Sequence, residues 1–336
     1  MKVSVLDQTV LRDQESPEEA FLQTVETAVH ADSLGYERYW VSEHHSTDAL
    51  GGSSPEVLIS FLAARTRRIR VGSGGVMLPH YSPYKVAENF RVLGALAPGR
   101  IDLGVGRAPG GVPLSTKALQ DLQLRDPDTF SDQLRQLQEY LKDILPVKHP
   151  LHGLMTTPRI SVKPQLWMLG TSPSSARLAG TAGLPYAFAF FSETQQQKAL
   201  LSFQRYRDTF RPSDVIEQPY SMLAIRIIAA DTDEEAEEAA VGSLRFSLML
   251  NKGRIVRLAD PQSARAALEN LSAGELEELE RIRSIYVIGS PSTIRRKIRE
   301  LQQSYRFDEL MALSLIYDFQ QRKRSLELLK EAVDDL

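Results

Sequence analysis

Short apolar runs separated by amphipathic stretches set the rhythm of the chain. Residues 3–6, Val-Ser-Val-Leu, read as a buried strand. Ser16 followed by Pro17, Glu18 and Glu19 opens a helix. The serine caps it, the proline suits the first turn, and the acids face the positive end of the dipole. Phe21, Leu22, Val25, Ala28 and Val29 recur at helical spacing until Gly35, a C-cap glycine. The same unit returns with strands at 39–42, 69–72 and 101–105 and helices at 56–65 and 84–96. Beyond residue 110 the pattern predicts strands at 164–169, 186–190, 222–230 and 310–315. Helices are predicted at 130–145, 176–182, 194–210, 293–303 and 321–333.

Strand–helix alternation implies parallel strands joined by right-handed crossovers, and the apolar strands fit a sheet covered on both faces. Eight such strands predict an α/β protein with a (β/α)8 TIM barrel, a single domain over residues 1–336. The alternative is an open doubly wound sheet. The interval 243–283 is too long for a simple crossover and predicts an insertion before the last strand.

Composition narrows the chemistry more than the fold. With 42% hydrophobic and 25% charged residues and a net charge of −3, the chain has ordinary globular character. That balance gives no reason to expect nucleic acid or a membrane surface as partner. There is no cysteine, which excludes disulfides, thiolate catalysis and cysteine metal sites. No apolar run reaches the roughly 18 residues of a spanning helix, and the N-terminus lacks a leader pattern. The expectation is a soluble, cytoplasmic protein.

In a parallel α/β protein the loops at the strand C-termini carry the chemistry. The second strand ends in Glu43-His44-His45. Alternation along a strand turns Ser42 and His44 to one side and Glu43 and His45 to the other, so one histidine faces the mouth. The competing readings are two loop histidines bonded to nearby backbone, or a metal site, for which no ligand partner lies at suitable spacing. Gly170-Thr171-Ser172-Pro173-Ser174-Ser175 joins a strand to a helix and fits both simple N-capping and an anion site. Gly104-Val105-Gly106-Arg107 lets a ligand approach the backbone, with Arg107 either gripping a phosphate or making a surface ion pair. As a dinucleotide fingerprint it fails, because Pro109 stands where a helix should open. Gly74 and Gly75 suit a backbone lying beneath a flat ligand, or an ordinary strand-to-loop turn. Trp40, Met77, Phe188, Phe190 and Phe191 suit an apolar pocket or simply barrel core.

Taken together, three segments resemble the bacterial luciferase-like flavin-dependent monooxygenases: residues 39–45 (Tyr-Trp-Val-Ser-Glu-His-His), 71–79 with the paired glycines, and 98–107 ending in Gly106-Arg107. Residues 170–175 and then Ala182-Gly183-Leu184-Pro185 continue the likeness, which covers essentially the whole chain. The resemblance implies a (β/α)8 barrel that takes reduced FMN from a separate NAD(P)H:flavin reductase and uses O2 to oxygenate a small organic substrate. It implies that His44 is an acid/base or peroxide-stabilising group at the reacting centre and that Arg107 grips the FMN phosphate. Thr171, Ser172 and Ser175 match the family's phosphate loop, and Gly74 and Gly75 its non-proline cis peptide under the flavin ring. Helices 56–65 and 84–96 match the helices that form a homodimer, and 243–283 a mobile lid. The light-emitting members carry a cysteine where this chain has Gly106, and their catalytic subunit has an acid where this chain has Thr171, which implies the non-luminescent branch. Relatives that use the deazaflavin F420 as dehydrogenases, or that bind flavin without turnover, are the alternatives.

Overall fold

The computed structural model describes residues 1–334 and 336. Nine parallel strands form the sheet: β1 (Lys2–Asp7), β2 (Arg38–Val41), β3 (Arg70–Met77), β4 (Ile101–Gly106), β5 (Gln165–Gly170), β6 (Tyr186–Phe190), β7 (Ser221–Ala229), β8 (Val287–Gly289) and β9 (Glu309–Leu313). Their order is β6-β5-β4-β3-β2-β1-β9-β7-β8, and a further β6–β7 pairing closes the ring. Eight strands therefore make a closed (β/α)8 barrel, and β8 pairs only with the upper half of β7. Each of the eight strands read from the sequence is a barrel strand.

Side-chain alternation divides the core in two. Val3, Val5, Tyr39, Val41, Leu103 and Val105 point outward and pack beneath the surrounding helices. Leu6, Trp40, Trp167, Met222, Ala224 and Met311 fill the barrel interior, where Trp40 and Trp167 meet edge to face at 5.2 Å. The expected cap on the first helix, Pro17–Ser33, is a full capping box between Ser16 and Glu19.

At the N-terminal end the interior is sealed by charge. The buried Arg38 guanidinium donates to both Glu309 oxygens at 2.7 and 2.9 Å and to Asp102 at 2.8 Å. Asp102 also accepts from Trp40 Nε1 at 3.0 Å and from Arg70 Nε at 2.9 Å. Tyr220 donates to Glu309 at 2.8 Å. Burial works against the guanidinium's charge, but the two carboxylates outweigh it and hold its pKa above the ordinary value.

Two details depart from the sequence reading. β3 runs on to Met77 through the glycines assigned to a loop, with a shift of register against β4 between Gly74 and Val76. The expected insertion at 243–283 is mostly helix: Asp233–Asn251 runs into it, and Pro261–Leu268 and Ala273–Ser284 follow. This segment is tied to the loop after β1, where the Leu258 N–H donates to Leu11 at 2.9 Å and the Asp13 N–H to Leu258 at 3.0 Å. No described helix is long and apolar enough to cross a membrane.

Replacing Arg38 by Met leaves two buried carboxylates without their cation. The expected loss is about 3–5 kcal/mol of unfolding free energy in urea denaturation. A loss below about 1 kcal/mol would remove the network from its structural role.

Candidate active site

The six residues assigned to a cofactor from the sequence converge. Gly74, Gly75, Arg107, Thr171, Ser172 and Ser175 all line one cleft of about 380 Å³ at the C-terminal ends of β3, β4 and β5. A larger groove of about 540 Å³ lies outside the barrel against Phe21, Val25, Val57 and Phe61. Its walls are almost wholly apolar, and it lacks the convergent polar groups of a reacting site.

The floor of the cleft is backbone. The Gly74–Gly75 peptide bond is cis. A Cβ on Gly75 would lie 2.7 Å from the Gly104 carbonyl oxygen, and one on Gly74 would lie 2.8 Å from Leu6 Cδ1. Both glycines are thus required by close packing within the barrel wall itself. Gly106 differs: it lines the cleft, and a Cβ there would meet nothing within 4 Å.

One side of the cleft is the start of the helix Pro173–Thr181. The Ser172 hydroxyl accepts from the Ser175 N–H at 3.3 Å, and the Ser172 N–H reaches back to the Ser175 hydroxyl at 3.3 Å. Capping is therefore present, and it orients the first turn of the helix toward the cleft. A Cβ on Gly170 would fall 2.1 Å from Ser175 Oγ, so the strand end passes the cap only without a side chain. Tyr186 touches Ser175 Oγ at 3.2 Å, and burial pushes its hydroxyl pKa up to about 12, leaving it a neutral hydrogen-bonding group. Facing this turn, Arg107 is exposed and makes no hydrogen bond or ion pair among the described residues. The surface ion pair that the sequence also allowed is not made.

The Glu43-His44-His45 corner obeys strand alternation. Ser42 Oγ and His44 Nδ1 lie 3.0 Å apart, and Glu43 Oε1 and His45 Nε2 lie 2.8 Å apart. The His44 N–H donates to the Gly52 carbonyl at 2.7 Å. Burial, with a smaller contribution from His45, lowers the His44 pKa to about 4, so the ring is neutral near pH 7. His44 stands at the end of β2 and is not among the residues lining the 380 Å³ cleft. Met77, which does line it, donates its N–H to Glu43 at 3.0 Å.

The sequence reading named Glu43 without its anchoring role and missed His80 altogether. Glu43 is fully buried and accepts from Tyr81 at 2.7 Å as well as from Met77 and His45, so it fastens the end of β3 to the end of β2. His80 Nε2 meets the Pro109 carbonyl at 2.8 Å, and its Nδ1 meets the Gln120 side-chain nitrogen at 3.1 Å. An amide nitrogen only donates, so Nδ1 accepts and Nε2–H donates. His80 thereby pins the loop that follows Arg107. The five pocket candidates divide as well: Phe188 and Phe190 belong to the outer core, Trp40 to the barrel interior, Phe191 packs against that interior, and Met77 alone of the five lines the cleft. Among the described residues no group of three His, Asp or Glu side chains is placed to hold a metal ion.

The His44 pKa fixes a sign. Its value of about 4 in the folded chain lies below the ordinary 6.5, so unfolding takes up a proton between these limits. The contribution of His44 to stability is full above pH 6.5 and is lost as pH falls toward 4. His44→Asn is expected to show a flatter stability–pH curve over that window in denaturant titrations. An unchanged curve would contradict the buried, neutral ring.

Comparison with known proteins shows the family. The family model described as "Luciferase-like monooxygenase" matches residues 1–306. The chain is 41% identical to the Bacillus subtilis (strain 168) protein YwcH, with 100% of each chain covered. It is 37% identical to the N-acetyl-S-alkylcysteine monooxygenase of the same organism, covering 99% of this chain and 98% of that one. The apo-MsnO8 crystal structure superposes with a TM-score of 0.89 at 36% identity, covering 99% of this chain and 98% of the other. At lower identity the fold alone is shared, both with a 3,6-diketocamphane monooxygenase constituent in complex with FMN (TM-score 0.70, 20%, 99% of this chain and 97% of that one) and with an F420-dependent secondary alcohol dehydrogenase (TM-score 0.67, 16%, 99% and 98%). The chain belongs to the luciferase-like monooxygenase family.

Proposed function

We propose that the chain binds reduced FMN in the cleft at the ends of β3, β4 and β5 and uses it with O2 to oxygenate a small organic substrate. The observation that carries this reading is the convergence of the six residues on one cleft, with Arg107 unpaired among the described residues at its edge. An FMN phosphate fits between the Arg107 guanidinium and the capped first turn of Pro173–Thr181, where helix dipole, main-chain N–H groups and serine hydroxyls favour an anion. The bare Gly74–Gly75 backbone and the open space at Gly106 suit a flat ring above them. Bound FMN would supply the redox chemistry toward O2 and substrate.

The chain's own residues would bind, orient and exclude water. His44, neutral at working pH, would hold or pass a proton at the ring nitrogen turned away from Ser42. Glu43 would keep the ends of β2 and β3 in register beneath it. Leu50, Phe246, Leu258 and Leu313 gather over the mouth, and the 243–283 segment that supplies two of them is the proposed lid. Reduction is assigned to a separate NAD(P)H:flavin reductase, as the resemblance to the family implies. Exposed Val57, Phe61, Val92 and Leu96 on the helices Pro55–Arg65 and Pro83–Leu96 support a homodimer through that face. Met77, Leu169 and Ala189 support an apolar body for the substrate.

In fluorescence titrations Arg107→Ala is expected to weaken FMN binding about 10- to 100-fold, the worth of a charge-assisted contact, and to leave riboflavin unaffected. Equal loss for both ligands, or for neither, would take Arg107 out of the phosphate site.

A further inference from the structure

One buried cation has no part in the reading above. Arg226 lies on β7 with only 5% of its surface exposed. Met222 and Ala224 on the same strand belong to the barrel interior, so alternation turns Arg226 inward too, one inward position (about 7 Å) nearer the mouth. Ala224 is paired in register with Ala189, which lines the cleft. Arg226 is not among the residues that line the cleft; it lies one inward position beyond the strand pair that forms that part of its wall.

Its surroundings are apolar. The guanidinium lies 5.0 Å from the Phe191 ring centroid and 5.4 Å from that of Tyr286. Nη1 donates to the Phe191 carbonyl at 2.9 Å. Nε is buried and makes no hydrogen bond, and Nη2 makes none among the described residues. The other buried arginines differ. Arg38 meets Glu309 and Asp102, and Arg91 meets Asp143 at 2.8 Å. No carboxylate among the described residues pairs with Arg226. A buried charge is retained at a cost unless something pairs with it. The free edge, Nε with Nη2, is the fork that matches the two oxygens of a carboxylate.

We propose that Arg226 is a specificity-determining residue of the substrate site, where its Nε–Nη2 edge receives a carboxylate borne by an otherwise apolar substrate. The inference rests on the active site proposed above, and it sharpens the substrate class from an apolar molecule to an apolar acid.

The test uses hexanoate and its neutral isostere hexanamide as probes, followed by ligand-observed NMR on the flavin-free full-length protein. Wild type is expected to bind hexanoate at least 10-fold more tightly than hexanamide, a comparison that needs no variant. Arg226→Met is expected to bind both alike, and Arg226→Lys to restore part of the preference. Arg107→Ala is expected to keep the preference, which separates this site from the phosphate end of the cleft. Equal binding by wild type, a preference that survives Arg226→Met, or one lost in Arg107→Ala would each overturn the proposal. FMN titration of the same wild-type sample reports on the flavin reading by itself. Failure there leaves the hexanoate result to be judged alone.

Discussion

A single guanidinium spans the barrel. Arg38, from β2, holds Asp102 on β4 and Glu309 on β9, and those two strands lie four places apart in a ring of eight, directly across from one another. All three side chains are buried, so each depends on the others for its charge to be tolerated. With Trp40, Trp167 and Tyr220 packed around them, they occupy the N-terminal end of the interior. A ligand therefore has only the C-terminal end to enter. The chemistry gathers there because the other end is taken up by structure.

At the open end the charges are arranged in the opposite way. Glu43 is satisfied three times over by neighbours on β3, on the following turn and on its own corner. Its charge is spent on holding strand ends together. His44, one residue on, is kept neutral by burial and among the described residues bonds to Ser42 and Gly52. Arg107 and Arg226 both lack a carboxylate partner among the described residues, one exposed at the rim of the cleft and one buried on β7. Cations without a counter-ion favour anionic groups on what the protein binds. The phosphate of a flavin and the carboxylate of a substrate would divide those two positions between them.

The barrel was legible in the sequence because its signals are local. Apolar runs of four to six residues, Ser-Pro helix starts and Gly stops recur with a period that parallel strands demand. The cleft was legible for another reason: its residues sit in contiguous strand-end motifs that resemble the family's, so Gly74, Gly75, Arg107, Thr171, Ser172 and Ser175 could be named together before their convergence was seen. What escaped was non-local. Glu43 looks like a catalytic acid beside two histidines, and its role as an anchor follows from Met77 and Tyr81, more than thirty residues on. His80 acts on Pro109 across 29 residues, and nothing in its own neighbourhood hints at it. Arg226 sits in an apolar strand where an inward arginine reads as an interruption. Only closure of the barrel shows that it lacks a counter-ion. β8 is three residues long and pairs with one strand, too short for periodicity to register.

The central claim is that the cleft beneath Arg107 is a site for reduced FMN. Its most direct test is a parallel anaerobic titration of the wild-type protein with reduced FMN and with F420. Saturable binding of reduced FMN at one site per chain, undisturbed by added F420, is the expected result. Saturation by F420 with no binding of reduced FMN would contradict the account and move the chain to the deazaflavin dehydrogenases.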